Sequence, residues 1–350
     1  MDETEFRILD TLSRDPGREL SISGLTREIR RLHGTAHYAN TYRALMGLQK
    51  QGVVHLKKTG NISLVSLDLK NRGTIDSLSE MELRRRHTLL EKREELQRLY
   101  DAFSDASYLG PISLIDAERN IKLNRAELLI QLPDWAWNRA SADMLEGKLE
   151  EAEGRLGIRI DALTLDDDRF RSLLAAQEKN PLKEMLSKHT TLLAPDLFWN
   201  QIRNAWAHGI QIRFDEDETN PLKISEQNLL YNLARFGYTE FGPQIKEGQD
   251  FGIEYVVIAL LLRGDARRIR AIPGLLAKNA ANYELILFLS KKYGMQSKLF
   301  GLLRALAKHK RDKDLESVLR ILEKSGVKEI KTDGRSIEEM MRTSNALKRS

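Results

Sequence analysis

A chain of 350 residues with 41% hydrophobic and 31% charged residues can bury more than one core, and with only 8 prolines it does not read as disordered. It has no Cys, which excludes a disulfide scaffold, a thiolate zinc site, an iron–sulfur cluster and a Cys nucleophile. The net charge of +5 hides a segregated distribution: residues 1–100 hold 18 Lys and Arg against 14 Asp and Glu, residues 101–220 hold 14 against 22, and residues 221–350 hold 24 against 15.

No uncharged apolar run approaches the ~20 residues of a membrane span, and Met1-Asp2-Glu3-Thr4-Glu5 is acidic where a leader peptide would be basic. The expectation is a soluble cytoplasmic protein with no membrane partner. An acidic middle between basic ends predicts separate domains. The sharpest surplus lies in residues 18–72, with ten Lys and Arg against Glu19, Glu28 and Asp68. That excess suggests a polyanionic partner.

In chain order, Phe6, Ile8, Leu9 and Leu12 recur at helical spacing up to Pro16-Gly17. Ser23 is the expected N-cap of a second helix built on Leu25, Ile29 and Leu32. After Gly34 a third helix is expected from Ala36 to Gln51, with Ala36, Ala39, Ala44, Leu45 and Leu48 available for packing. Val53–Lys57 and Ile62–Leu67 read as strands joined by a turn at Lys58-Thr59-Gly60-Asn61.

Three helices followed by a hairpin resemble the winged helix-turn-helix family over residues 3–70. The resemblance implies double-stranded DNA as partner. The third helix would enter the major groove, presenting His37, Tyr38, Asn40, Thr41, Arg43 and Lys50 to bases and phosphates. Lys57 and Lys58 would lie at the hairpin tip, and Arg27, Arg30 and Arg31 would neutralise phosphates.

No Gly or Pro interrupts Ile75–Phe103, which reads as one long helix with Leu89, Leu96, Leu99 and Phe103 on a stripe. Two readings stand: a dimerisation helix giving a homodimer, or a linker helix packed on the next domain.

In the acidic middle, Pro111–Asp116, Leu128–Leu132 and Ile158–Leu165 read as strands. Asp143–Leu156, Asp167–Gln177 and Pro181–His189 read as helices. The order strand, loop, strand, helix, strand, helix resembles the polymerase-beta-like nucleotidyltransferase superfamily over residues 108–214. The family places Gly-Ser at the end of the first strand and carboxylates on the next two strands, where they hold two divalent ions. Here the Gly-Ser position reads Asp116-Ala117, Arg119 matches a family Arg, Asn120 replaces an expected Gly, and the Asp-x-Asp position reads Arg125-Ala126-Glu127. Asp161 stands at the third carboxylate position. The resemblance therefore implies a degenerate site with no catalysis, no cofactor and no metal, Glu127 and Asp161 being vestigial candidates. The enzyme alternative is a divergent metal-dependent nucleotidyltransferase using those two residues.

Other chemistry is weaker. The Asp166-Asp167-Asp168 cluster reads as a helix-start cap. His33 and His37 are separated by Gly34, so they do not define one helix face. Arg203 and His208 match the Arg-x4-His pattern of the HEPN ribonuclease family, but the segment reads more simply as a helix packing Phe198, Ile202 and Trp206, followed by a strand at Ile210–Phe214.

The C-terminal segment is basic and helical. Helices are expected near Ser225–Phe236, Phe251–Leu262, Ala266–Ala277, Asn282–Tyr293, Ser297–His309 and Lys313–Lys324. Gly237, Pro243, Gly264, Pro273, Gly294 and Gly326 mark the joints, and no fixed-period repeat is evident. The basic groups Arg263, Arg267, Arg268 and Arg270, then Lys291, Lys292, Lys308, Lys310 and Arg311, read either as solvated faces or as a second nucleic-acid surface.

The fold class expected is α+β and mostly helical. A winged helix occupies 1–72, a linker or dimerisation helix 73–107, a small mixed-sheet nucleotidyltransferase-like domain 108–220, a basic helical domain 221–335 and a flexible tail 336–350. The function expected is a DNA-binding transcriptional regulator whose middle domain is a sensor or scaffold. An RNA- or ribosome-binding factor is a further alternative, because basic patches do not distinguish DNA from RNA.

Overall fold

The N-terminal core forms because three amphipathic helices and a hairpin converge on Ile8, Leu9, Leu25, Ile29, Leu45, Leu48 and Val65, all buried. In this computed structural model, residues 1–105, 110–133, 139–238 and 245–330 are described. The expected tail 336–350 and the joint at Pro243 lie outside them. The architecture is mixed α+β, about 60% helical, with two small sheets.

Helix α1 (Glu3–Ser13) starts at a capping box between Asp2 and Glu5. Strand β1 (Leu20–Ser21) leads into α2 (Ile22–His33), whose N-cap is Ser21 rather than Ser23: the Ser21 hydroxyl accepts from the Gly24 N–H. Helix α3 (Tyr38–Lys50) follows, then β2 (Val54–Thr59) and β3 (Ile62–Leu67). The hairpin turn is the two-residue Gly60-Asn61, because Thr59 pairs with Ile62. The two-residue β1, too short to carry a periodic signal, completes a sheet of order β1-β3-β2.

The expected single long helix is two helices. Helix α4 (Arg72–Glu91) is capped by Asn71, and α5 (Glu94–Phe103) restarts after a break at Lys92-Arg93. The break re-aims the second half. Leu96, Leu99 and Phe103 join Ile112, Leu128, Ile130 and Leu145 in one buried cluster, with Leu89 partly buried against it. The apolar stripe is therefore covered within the chain, which favours the reading of a linker helix packed on the next domain.

The second sheet contains β4 (Ile112–Ile115), β5 (Arg125–Leu132), β6 (Arg159–Asp166) and β7 (His189–Leu193), in the order β6-β5-β4-β7. β5 runs parallel to β6 and antiparallel to β4, and β7 runs antiparallel to β4. The connections hold α6 (Ala117–Lys122), where a loop was expected, α7 (Arg139–Leu156), α8 (Asp167–Ala175) and α9 (Pro181–Ser187). Helix α10 (Pro195–Ala207) follows β7. Strand β7 begins at His189, where the sequence predicts the end of a helix, and its Thr-rich run is buried throughout.

Alternation along β5 divides the two faces. Ala126, Leu128, Ile130 and Leu132 meet α5 and α7, while the side of Glu127 faces α8 and its neighbours. Residues 210–214 pair with no strand. They run against the turn after α1, where the Phe214 N–H donates to Asp15 Oδ1 at 3.1 Å. A Cβ on Gly17 would lie 1.9 Å from the Ile212 carbonyl oxygen, so that approach requires glycine.

The chain divides into two compact units. One comprises Met1–Ala175 with Leu182–Asp217, and so includes both sheets; the other comprises Ala176–Pro181 with the chain from Glu218 onward. The second unit holds α11 (Glu226–Arg235), α12 (Ile253–Arg263), α13 (Ala266–Lys278), α14 (Tyr283–Lys292), α15 (Gln296–Ala307) and α16 (Lys313–Lys324). Pro273, expected at a joint, lies inside α13.

A repeat is present where none was evident from the sequence. Helices α12, α14 and α16 begin at residues 253, 283 and 313, and α13 and α15 at 266 and 296, a spacing of 30 residues. Tyr255, Leu285 and Leu315 are equivalent and buried, as are Ile258, Phe288 and Val318. Gly264 and Gly294 end equivalent helices at φ +76° and +69°, a conformation that favours glycine. Helices α12, α14 and α16 stack in one row and α13 on α15 in another, which is the arrangement of a helical solenoid. Among the described residues no helix is long and apolar enough to cross a membrane.

Candidate nucleic-acid interface and carboxylate–arginine centre

Helix α3 buries Thr41, Leu45 and Leu48, half-buries Ala44, Met46 and Gly47, and exposes its remaining residues. Thr41 was expected to point outward. It is 1% exposed, and its hydroxyl donates to the His37 carbonyl at 3.1 Å. Its position four residues before Leu45 places it on the core face. Ala39, expected in the core, is exposed. His37, Tyr38, Asn40, Arg43 and Lys50 are all exposed.

Tyr42, absent from the expected contact set, shares this face. Tyr38 and Tyr42 are 54% and 45% exposed, with near-parallel rings 6.3 Å apart between centroids. The i, i+4 spacing was the available signal for this pair.

The expected phosphate-contacting residues divide into two groups. Arg27, Arg43, Lys50, Lys57 and Lys58 are exposed and have no ion pair among the described residues. Lys57 and Lys58 lie on β2 before the turn rather than at its tip. Arg30 and Arg31 are already engaged within the chain. Arg30 donates to the Ala36 carbonyl at 3.0 Å, while Arg31 pairs with Glu28 at 2.7 Å and Glu216 at 3.0 Å. The hydrogen bond from Arg31 to Glu28, with Glu216 adding to it, holds the guanidinium above its usual range.

At one end of the second sheet the structure assembles Asp116, Arg125, Glu127, Arg159 and Asp161. Asp116 ends β4 at φ +40°, a left-handed position that Asp adopts more readily than most residues. Its N–H donates to the Lys188 carbonyl at 3.0 Å, and α6 starts immediately after it. Asn120 is buried, its Nδ2 donating to the Ile115 carbonyl at 2.8 Å, whereas Arg119 is exposed.

Glu127 and Asp161 are paired in register, 3% and 1% exposed. Arg125 forms an ion pair with Glu127 and approaches Asp161 Oδ2 at 4.0 Å. Arg159 donates to Asp161 Oδ1 through Nε at 3.0 Å and Nη2 at 2.9 Å. Two guanidiniums thus neutralise two buried carboxylates. This arrangement does not fit divalent cations: the oxygens such ions would use already face arginine.

A second buried polar network was not visible in the sequence. Arg85 on α4 donates to Asp10 on α1 at 2.7 Å, Glu82 at 2.7 Å, the His189 carbonyl at 3.1 Å and Ser13 Oγ at 3.0 Å. Glu82 accepts from the Thr191 N–H at 3.0 Å, and His33 lies 3.2 Å from Asp10. This network joins α1 to α4 and β7. Burial opposes the Asp10 charge, but Arg85, His33 and Arg14 outweigh it and hold the carboxyl well below its usual range. Burial, reinforced by Arg85, pushes His189 down to about 3. Burial raises Glu82, with Arg85 opposing that rise. A neutral His189, its ring tilted 40° to that of Phe198 with centroids 4.5 Å apart, serves packing.

Arg203 is half-buried and His208 is exposed at the C-cap of α10, its Nδ1 2.7 Å from the Asn204 carbonyl. Phe198 and Ile202 are buried as expected, together with Trp199, while Trp206 is half-buried under Lys70. Among the described residues no group of three His, Asp or Glu side chains is placed to hold a metal ion. The chain matches no protein-family model, and comparison with curated proteins and with solved structures returns no match.

Proposed function

We propose that this protein is a duplex DNA-binding regulator. Its N-terminal module acts as a winged helix, and its second sheet serves as a non-catalytic, nucleotidyltransferase-like scaffold. The observation that supports DNA binding best is the exposed face of α3. Asn40, Tyr42 and Arg43 offer an amide, an aromatic ring and a guanidinium to a groove, and Arg27, Lys57 and Lys58 flank them without ion-pair partners among the described residues. Helix α3 is bound to α1 and α2 by Leu45 and Leu48, so this face is presented on a rigid support.

The scaffold reading rests on the arginine-neutralised pair Glu127 and Asp161. A nucleotidyl-transfer site needs those oxygens for cations and needs neutral donors near phosphate, where Asp116 stands. The test is titration of labelled mixed-sequence duplex with the full chain across a salt series. The proposal predicts binding that weakens steeply with salt. Absence of duplex binding at low ionic strength would remove it.

A further inference from the structure

The 30-residue repeat brings two turns together at one edge of the helical stack. The first, residues 279–282, joins α13 to α14; the second, residues 308–312, joins α15 to α16. Lys310 fixes their adjacency. From the second turn its Nζ donates to the Leu276 carbonyl near the end of α13 at 3.3 Å, and lies 3.1 Å from the Tyr283 hydroxyl at the start of α14. Lys278 and Lys308 occupy equivalent places, thirty residues apart, at the ends of α13 and α15.

At the opposite ends of these helices three cations are compensated within the unit, while Arg267 and Arg270 on α13 are exposed with no ion pair among the described residues. Arg263 and Arg268 share Glu226 at 2.6 and 2.5 Å, and Lys292 pairs with Glu218 at 3.1 Å. At the turn edge only Lys310 is so engaged among the described residues, with Asp312 at 3.1 Å. Lys278, Lys308, His309, Arg311 and Lys313 are exposed and have no ion pair among the described residues. Residues 278–282 and 308–314 together carry five Lys and Arg against Asp312 and Asp314. Asp312 is also occupied as a helix cap, accepting from the Asp314 and Leu315 N–H groups.

Helix-end stabilisation explains part of this pattern. Lys278 and Lys308 complement the negative ends of α13 and α15. Lys313 does not fit that account, because it stands at the first position of α16, where the helix dipole disfavours a cation. His309 and Arg311 lie in the turn, beyond both helices.

We propose that this edge of the helical stack is a second nucleic-acid surface, binding the phosphodiester backbone through Lys278, Lys308, Arg311 and Lys313. The chemistry is that of adjacent exposed cations on a rigid repeat, and the turns carry Lys and Arg rather than a base-reading set. Binding is therefore backbone-directed and independent of base sequence. It is independent of the function proposed for α3.

The experiment uses the full chain carrying Arg43→Ala, Lys57→Ala and Lys58→Ala, so that the α3 face is weakened throughout. Into this background Lys278→Glu, Lys308→Glu, Arg311→Glu and Lys313→Glu are introduced together. Fluorescence anisotropy follows a labelled single-stranded RNA and a labelled DNA duplex between about 50 and 200 mM salt. A polyglutamate competitor and a second variant with Gln at the same four positions complete the set, and circular dichroism verifies that each folds.

The proposal predicts residual salt-dependent binding in the background, weakened at least tenfold by the Glu set and less by the Gln set. The slope of log affinity against log salt should fall by about 0.7–0.9 for each phosphate that is no longer neutralised. The RNA and DNA arms show which backbone is preferred, and binding of either supports the surface. Unchanged affinity and slope in both folded variants would overturn it. No residual binding to either probe in the background, or displacement of either probe by polyglutamate at equal charge, would also overturn it.

Discussion

Glu127 and Asp161 lie opposite one another in the parallel register of β5 and β6, each ion-paired with an arginine two residues earlier on its own strand. The two-residue spacing places Arg125 and Arg159 on the same sheet face as their carboxylates. Removing Arg125 would leave buried negative charge short of a partner. Arg125→Ala is expected to destabilise the protein by about 3–5 kcal/mol. Combining it with Glu127→Gln should recover part of that loss. Urea denaturation of both variants tests this, and equal stability of the wild type and Arg125→Ala would contradict it.

The same centre bears on catalysis. Incubation of the protein with labelled nucleoside triphosphates, magnesium or manganese, and protein or RNA acceptors is expected to show no transfer. Transfer abolished by both Glu127→Gln and Asp161→Asn would establish the enzyme alternative.

The buried network around Arg85 predicts a pH dependence of stability. The unfolded chain protonates His189 near the ordinary histidine value of 6.5, whereas the native ring resists protonation until about 3. Stability is therefore lost as pH falls from 6.5 toward 3, by about 2 kcal/mol between pH 7 and 5. Asp10 has the depressed carboxylate of an ion pair, so its contribution is present above the ordinary aspartate value of 3.8 and is lost below it. Glu82 is raised above its ordinary value of 4.5 and works in the opposite sense, so it offsets part of the His189 loss as pH falls, and the comparison with a His189 variant isolates the histidine's share. Chemical denaturation of His189→Gln at those two pH values should show a smaller difference than the wild type; an equal difference would refute this assignment.

Leu99 illustrates what the sequence could and could not reveal. Its stripe with Leu96 and Phe103 was readable, but the surface it covers was not, because the covering residues Leu128, Ile130 and Leu145 are distant in sequence. The order of helices and strands was legible wherever apolar spacing and turn residues agreed, as in α1 and the β2–β3 hairpin. Strand β7 was hidden because His189-Thr190-Thr191 follows a helix without a Gly or Pro break. Arg85 and Asp10 are 75 residues apart, and no local pattern signals such a pair. The repeat was obscured because Tyr255, Leu285 and Leu315 preserve burial rather than identity.

Leu99→Ala is expected to cost about 2–5 kcal/mol through an internal cavity. Since the stripe packs within one chain, that loss should not depend on protein concentration. A loss that grows on dilution, measured by thermal unfolding across a hundredfold concentration range, would restore the intersubunit role.

Duplex binding as a function of salt tests the central proposal most directly. Wild type, Arg43→Ala and Lys57→Ala with Lys58→Ala are compared on a selected target and on unrelated duplex. Arg43→Ala should reduce discrimination between the two duplexes, costing about 1–3 kcal/mol on the target if Arg43 reads a base. The paired lysine change should weaken both duplexes alike and lower the salt slope by about 0.9 for each phosphate left without its lysine. Affinities and slopes that are the same for all three proteins would contradict the assignment of α3 and its hairpin as the DNA-binding surface.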